Sequence, residues 1–183
     1  VVQRQDMNLG LVEPASVQVR DLLRQLPGVI AVEPFRGAAA RIRFGHRSRQ
    51  IGIQGTPADT QHSRVVDAKY REIVLPPEGL VVSTKLAEVL DVKVGDELTV
   101  EFLEGRRVLR TVPLVGVCED LTGIAAHMDM RALNRLLGEG DAINGAIFTL
   151  DMARRAEFLH ALKQIPRVSG VGIKEAGREK FRP

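Results

Sequence analysis

The amino-acid sequence predicts an α+β fold: a split βαβ lobe interrupted by a long insertion, itself a mixed α/β lobe rich in short strands. Two observations carry this. The stretch LRQLPGVIAV (Leu23–Val32) returns at one fixed offset as LKQIPRVSGV (Leu162–Val171). Leu23, Gln25, Pro27, Val29 and Val32 recur as Leu162, Gln164, Pro166, Val168 and Val171. Between the copies, short alternating apolar segments are punctuated by Gly, Pro and Asp turn signals.

Each element has a local justification. Met7–Val12 reads as a first strand. Val19, Leu22, Leu23 and Leu26 then form one helical stripe, which Pro27 stops by pushing its predecessor out of the α region. Val29–Val32 is a β-branched strand. Ile42 and Phe44 alternate with Arg41 and Arg43, Gly45–Ser48 turns, and Ile51 and Ile53 return, which predicts a hairpin. Pro57–Pro77 is polar and turn-rich, a surface loop. Ser83 caps a helix with the stripe Leu86, Val89 and Leu90, ending near Asp91. Gly95-Asp96 turns into the strand of Leu98, Val100 and Phe102, and Glu104-Gly105 turns again. Val108–Val112 and Leu114–Cys118 are further strands. Asp129 caps a helix through Leu133, Leu136 and Leu137, which Gly138 ends. The second half follows: strand Ala146–Leu150, the helical stripe Phe158, Leu159, Leu162 and Ile165, the stop at Pro166, and strand Val168–Ile173. The split lobe is therefore expected over 1–40 and 141–183, and the inserted lobe over 41–140.

Bulk properties narrow the function. Of 183 residues, 44% are hydrophobic and 27% charged, a globular composition. A net charge of +3, from 26 basic and 23 acidic residues, is too balanced to argue nucleic-acid binding. Aromatics at 4%, with no Trp, leave little to stack bases or sugars on. The one cysteine, Cys118, excludes an internal disulfide framework. No apolar run approaches the roughly 18 residues of a membrane span. The chain opens on Val1 rather than Met and reads as an excised piece of a longer protein.

The search for chemistry returns little. Cys118, Glu119, Asp120 and His127 have the residue types of a nucleophile with its base and orienter. Cys118, however, closes an apolar strand and reads as a small buried hydrophobe. His46, His62, His127 and His160 lack the i,i+4 pairing or Cys partner of a zinc site. No glycine-rich phosphate loop is present. The sequence assigns no catalytic residue, no metal ligand and no cofactor site.

What remains are surface and hinge candidates. Arg36, Arg41, Arg43, Arg47 and Arg49 are the densest charge feature, with Arg41 and Arg43 on one face of their strand. Such a run is first a solvated strand edge. Second, Arg41, Arg43, Arg47 and Arg49 are candidate contacts for anionic lipid or an acidic partner. In TGIAAHMDM (Thr122–Met130), Ile124 and Met128 read as packed residues or as a partner-binding surface. Gly37, Gly140 and Gly145 are hinge candidates, in the segments Pro34–Ala40 and Gly140–Gly145 where the chain passes between lobes.

The order of parts resembles the extracytoplasmic domain of FtsX/MacB-type ABC transporter permeases. The likeness is carried by LPGVIAVEPFR (Leu26–Arg36), GIQGTPAD (Gly52–Asp59), LPPEGLVVSTKLAEVLDVKVGDELTVEFLEGRR (Leu75–Arg107), VGVCEDLTGIAAHMDMRALNRLLGEGD (Val115–Asp141) and IPRVSGVGIKEA (Ile165–Ala176). Its most specific element is the helix followed by KVGD and a strand. Asp91 departs from the pattern, since such permeases commonly have Gly there. The resemblance implies a porter-like split lobe, flanking transmembrane helices, a second permease copy, and a separate cytoplasmic ATPase subunit that uses the ATP. It places this domain on the outer face of the cytoplasmic membrane, non-enzymatic, moving or handling a lipoprotein, lipid, peptide or drug. The alternative is a regulatory docking domain that binds and activates an extracytoplasmic protein such as a cell-wall hydrolase.

Overall fold

The structure, a computed structural model, describes residues 4–58, 65–66, 69, 71–120, 123–165 and 173–175. In chain order the elements are β1 (Arg4–Ser16), α1 (Val19–Arg24), β2 (Val29–Phe44), β3 (Arg47–Thr56), β4 (Val65–Val66), β5 (Glu72–Ile73), β6 (Leu80–Ser83) and α2 (Thr84–Leu90). There follow β7 (Glu97–Phe102), β8 (Leu109–Cys118), β9 (Ala126–Asp129), α3 (Met130–Leu137), β10 (Ala142–Asp151), a 3-10 turn (Met152–Arg154), α4 (Arg155–Lys163) and β11 (Ile173–Glu175). The fold is mixed, with a sheet-rich core and a few helices. The chain forms two compact units, Val1–Pro34 with Ile143–Pro183, and Phe35–Ala142. Among the described residues no helix is long and apolar enough to cross a membrane, which leaves membrane-crossing strands unaddressed.

In the first unit, β1 lies between β11 and β10, and β10 lies beside β2. β1 and β11 run antiparallel, with Met7 opposite Glu175 and Leu9 opposite Ile173. Met7, Leu9, Leu23, Val32, Ala146, Phe148, Leu150, Phe158 and Leu162 make its core. The Phe148 and Phe158 rings meet edge to face, centroids 5.1 Å apart, the arrangement favoured by their quadrupoles. The repeated positions behave alike. Leu23 and Leu162 are both buried, and Gln25 and Gln164 are both C-caps whose N–H groups donate back into their helices. Residues 166–172, with Pro166, Val168 and Val171 of the second copy, lie outside the described residues.

The second unit is a closed ring. β2 pairs with β3, β3 with β9, β9 with β6, β6 with β8 and β8 with β7. The last gap is bridged by antiparallel pairing of β7 with β2, Ala40 opposite Phe102 and Arg43 opposite Thr99. This pairing covers the two edges, on β2 and β7, that an open sheet would leave there. Inside are Ala38, Ala40, Ile42, Ile53, Val82, Leu98, Val100, Phe102, Val112, Leu114 and Met128. The small Ala40 opposite the large Phe102 is the kind of pairing a tight barrel interior requires.

Both helices of this unit begin where a strand ends. Ser83 at the end of β6 accepts from the Leu86 N–H at 3.2 Å, and Asp129 at the end of β9 accepts from the Ala132 N–H at 3.1 Å. Each satisfies an orphan donor of the first turn. Their ends also match, with Asp91 at φ 56° and Gly138 at φ 70°, both left-handed.

Two expectations change. The strand at Val29–Val32 and the hairpin's first arm are one strand, β2, so the hinge segment Pro34–Ala40 is extended ladder; Gly37 stands opposite Gln54 within it. The segments on either side of Pro113 are likewise one strand, β8. Pro113 stands opposite Glu97 on β7, and pairing with β6 begins only at the next residue, Leu114 opposite Leu80, so the proline sits just outside the β6 ladder.

The left-handed cap at Asp91 generates a prediction. Asp91→Gly removes the Cβ penalty at φ 56° and is expected to raise stability by about 0.5 kcal/mol, whereas Asp91→Val lowers it by about 1 kcal/mol or more. Urea unfolding midpoints at constant slope measure both; a loss of stability in the glycine variant contradicts the account.

Candidate functional site

Along β2, alternate residues point inward: Val32, Pro34, Arg36, Ala38, Ala40 and Ile42 are all buried. Arg36 thus occupies an inward position, and its side chain is only 1% exposed. Its Nη2 donates to Glu104 Oε1 at 2.7 Å and to Glu139 Oε1 at 3.2 Å, and its Nε donates to Glu139 Oε2 at 3.1 Å. Its Nη1 donates to the Gly37 carbonyl. Burial works against the charged guanidinium, but the hydrogen bonds and charges of Glu139 and Glu104 outweigh it and hold the pKa above the ordinary arginine value. Glu104 lies in the β7–β8 turn and Glu139 in the α3–β10 connection, so one cation ties three segments of this unit.

This corrects the reading of the arginine run, because Arg36 is an interior group. The other four divide between two faces. Arg41 and Arg43 lie on one face with Glu101, which reaches Arg43 Nη2 at 3.1 Å and Arg41 Nη1 at 3.7 Å. Arg47 stands opposite Phe44 and Arg49 opposite Ile42 across the hairpin, hence on the other face of the ribbon. Glu101 partly neutralises the Arg41/Arg43 face.

Met128 takes the packed one of its two readings: β9 sits between β3 and β6, and Met128 is 1% exposed within the barrel core. Ile124, in the approach to β9, is exposed. Of the hinge candidates, Gly37 lies within β2 and Gly145 is buried within β10, while Gly140 is exposed in the α3–β10 connection.

Cys118, Glu119, Asp120 and His127 divide into separate contacts. Cys118 is buried, and desolvation followed by the charges of Asp120 and Glu119 pushes its thiol up to about 11. It is therefore a protonated thiol near neutral pH and a poor nucleophile. Glu119 accepts from the Thr84 hydroxyl at 2.7 Å. His127 Nε2 is 3.5 Å from Asp120 Oδ2, yet burial holds the imidazole below its usual pKa despite that carboxylate. Among the described residues no three His, Cys, Asp or Glu side chains converge on a metal-sized point.

One concave feature lies within the second unit, an open cleft of about 190 Å³ between α3, β8 and the approach to β6. Val112, Met128, Ala132 and Leu136 supply its apolar lining, and Thr111, Glu78 and Arg135 its polar margin. Gly79, at φ 93°, lets the approach lie against β8, where a Cβ would stand 3.0 Å from the Pro113 carbonyl oxygen. The sequence run of apolar residues at Thr122–Met130 pointed to Met128 but not to this cleft, because its walls are far apart in the chain.

Two predictions follow from these contacts. Arg36→Met is expected to cost about 1–2 kcal/mol, since both carboxylates are about a third exposed and rehydrate; Glu104→Ala with Glu139→Ala strands the buried cation and is expected to cost about 3–5 kcal/mol. Equal losses in chemical denaturation would contradict the buried node. For His127 the folded pKa lies below the unfolded one, so the unfolded chain binds the proton more tightly and stability rises with pH across that interval. Stability is expected to fall as pH drops below about 6.5, with a shallower fall in His127→Gln; identical pH profiles would remove His127 from the explanation.

No protein-family profile matches the chain, and no curated protein matches it by sequence. Among solved structures, the chain is similar to the extracellular domain of the noncanonic ABC-type transporter YknZ from Gram-positive bacteria. The TM-score is 0.62 at 13% identity, covering 94% of this chain and 100% of that one. It is similar also to the periplasmic region of MacB from Actinobacillus actinomycetemcomitans, at TM-score 0.61 and 11% identity, covering 93% of this chain and 88% of that one. The chain has the fold of the MacB-like extracellular and periplasmic domains of ABC transporter permeases.

Proposed function

We propose that this chain is the extracytoplasmic domain of an ABC transporter permease, and that it couples cytoplasmic ATP hydrolysis to the movement or handling of an external substrate. The observation that carries the reading is the likeness, over nearly the whole chain, to domains that stand outside the membrane in such transporters. In this reading Val1–Pro34 with Ile143–Pro183 is a porter-like split βαβ lobe. The strand order β11–β1–β10–β2, with one helix in each half, is consistent with that. Phe35–Ala142 is then the inserted lobe. Transmembrane helices of the same permease, a second permease copy and a cytoplasmic ATPase are its partners, and a lipoprotein, lipid, peptide or drug is its substrate class.

The work assigned to the domain is mechanical, with no covalent step. ATP energy arrives as displacement of the membrane helices, and the domain turns it into a rigid-body or hinge motion. Arg36 supports this role. It lies just after the chain enters the second unit, and its partner Glu139 lies just before the chain leaves it. A load applied at either crossing is therefore shared by both ends of the insertion.

The test uses the complete permease with its ATPase in lipid nanodiscs. Spin labels at Arg24 in the first unit and Lys93 in the second report the interunit distance by pulsed electron resonance. A distribution that shifts between ATP-bound and nucleotide-free states is expected. One that stays fixed through the cycle overturns the coupling.

A further inference from the structure

β3 is paired on both sides over only part of its length. It pairs with β2 from Arg47 to Gly55. On its other side β9 joins it only from Ile53 to Thr56. Among the described residues, no strand pairs with that second edge over residues 47–52.

Hydrogen-bond parity fixes what the edge offers. Phe44 and Arg47 face each other across the two-residue turn Gly45-His46, with Gly45 at φ 60°. In such a hairpin the closing pair exchanges both main-chain hydrogen bonds, and the pattern alternates from there. The N–H and C=O groups of Arg47, Arg49 and Ile51 therefore go to β2. Those of Ser48, Gln50 and Gly52 point away from it. The Ser48 carbonyl accepts from the Arg49 guanidinium at 2.7 Å, a cover made by an exposed side chain that can swing aside.

The side chains beside this edge are cationic. Residues 34–58 contain five Arg and no Asp or Glu. Arg47 and Arg49 are exposed and share one face of the strand. Glu101 pairs with Arg41 and Arg43 on the other face of the ribbon. Gln50 and Gly52 are exposed on that other face, and a Cβ added to Gly52 would meet nothing within 4 Å. A second copy of this chain would bring its own Arg47 and Arg49 to the same seam, and like charges facing each other disfavour that pairing.

We infer that this edge of β3 accepts an extended acidic segment of a partner protein as an additional strand. The partner's main chain pairs with Ser48, Gln50 and Gly52, and carboxylates at every second position meet Arg47 and Arg49. That the partner stands outside the membrane rests on the permease reading; the edge and its charge do not.

The probe is a fluorescein-labelled peptide of alternating glutamate and threonine, titrated with the 183-residue chain and read by anisotropy. Saturable binding is expected, weakening with salt. The same peptide methylated at every peptide nitrogen keeps its charges and donates no main-chain hydrogen bond, and is expected to bind at least about tenfold more weakly. Gln50→Pro removes an edge donor while leaving the β2 ladder its bonds, and Arg47→Glu with Arg49→Glu reverses the charge; each is expected to weaken binding at least about tenfold with an unchanged circular dichroism spectrum. Amide exchange followed by NMR is expected to slow at least about tenfold on peptide binding at Ser48, Gln50 and Gly52, and to stay unchanged at Arg49 and Ile51. The methylated peptide leaves the protein untouched, so the test holds even where a variant fails to fold. No binding, equal binding of the methylated peptide, or protection without that alternation overturns the inference. Dimerisation without peptide binding overturns it in favour of a second copy, and retention on phosphatidylglycerol vesicles without peptide binding overturns it in favour of a membrane surface. Each result leaves the interunit distance experiment standing, so failure of the docking edge and failure of the permease reading are separable.

Discussion

The pairing of Ala40–Arg43 with Thr99–Phe102 is the constraint on which the second unit depends. Without it, β2 and β7 would be edges of an open sheet, and their unpaired N–H and C=O groups would seek partners elsewhere. With it, each strand has a fixed inner and outer face. Ala40 and Phe102 share an inner position as a small and a large residue. Arg41, Arg43 and Glu101 are sent outward, where one carboxylate serves two guanidinium groups. The same closure carries the β7–β8 turn to β2, so that Glu104 meets Arg36 and the Leu103 N–H donates to the Ala39 carbonyl at 2.9 Å.

Arg36 illustrates how a polar group is admitted to an interior. A guanidinium taken out of water is costly unless its donors are met and its charge is opposed. Here two carboxylates and a carbonyl supply both, and the carboxylates keep partial contact with solvent, which limits their own desolvation. The arrangement contributes less to net stability than to uniqueness: few other packings of these segments bring Glu104 and Glu139 to the same buried cation.

What the sequence revealed and what it hid divides by distance along the chain. Ser83, Asp129 and Gly138 were legible as helix boundaries, because a cap acts on donors or acceptors a few residues away. The alternation of Leu98, Val100 and Phe102 was legible for the same reason. Arg36 was not, since its partners are remote in sequence; the one local hint was its place in the even-numbered inward series from Val32 to Ile42. Met128 was ambiguous because TGIAAHMDM has no period, and only the parallel pairing of β9 with β3 decides which way it points. The cleft had no sequence signal at all, its walls being assembled by α3, β8 and the chain before β6. Pro34 and Pro113 were over-read as boundaries, although each strand accommodates its proline.

The ion pair between Arg36 and Glu139 has an evolutionary consequence. It places the first and last segments of the Phe35–Ala142 unit within a hydrogen bond of each other. A unit whose entry and exit coincide in space is a cassette: a short bridge replaces it and a different unit with adjacent ends substitutes for it, without a long new connection. Natural variation in such a protein would then concentrate by exchange of whole inserts, with the host unit and its flanking strands held constant.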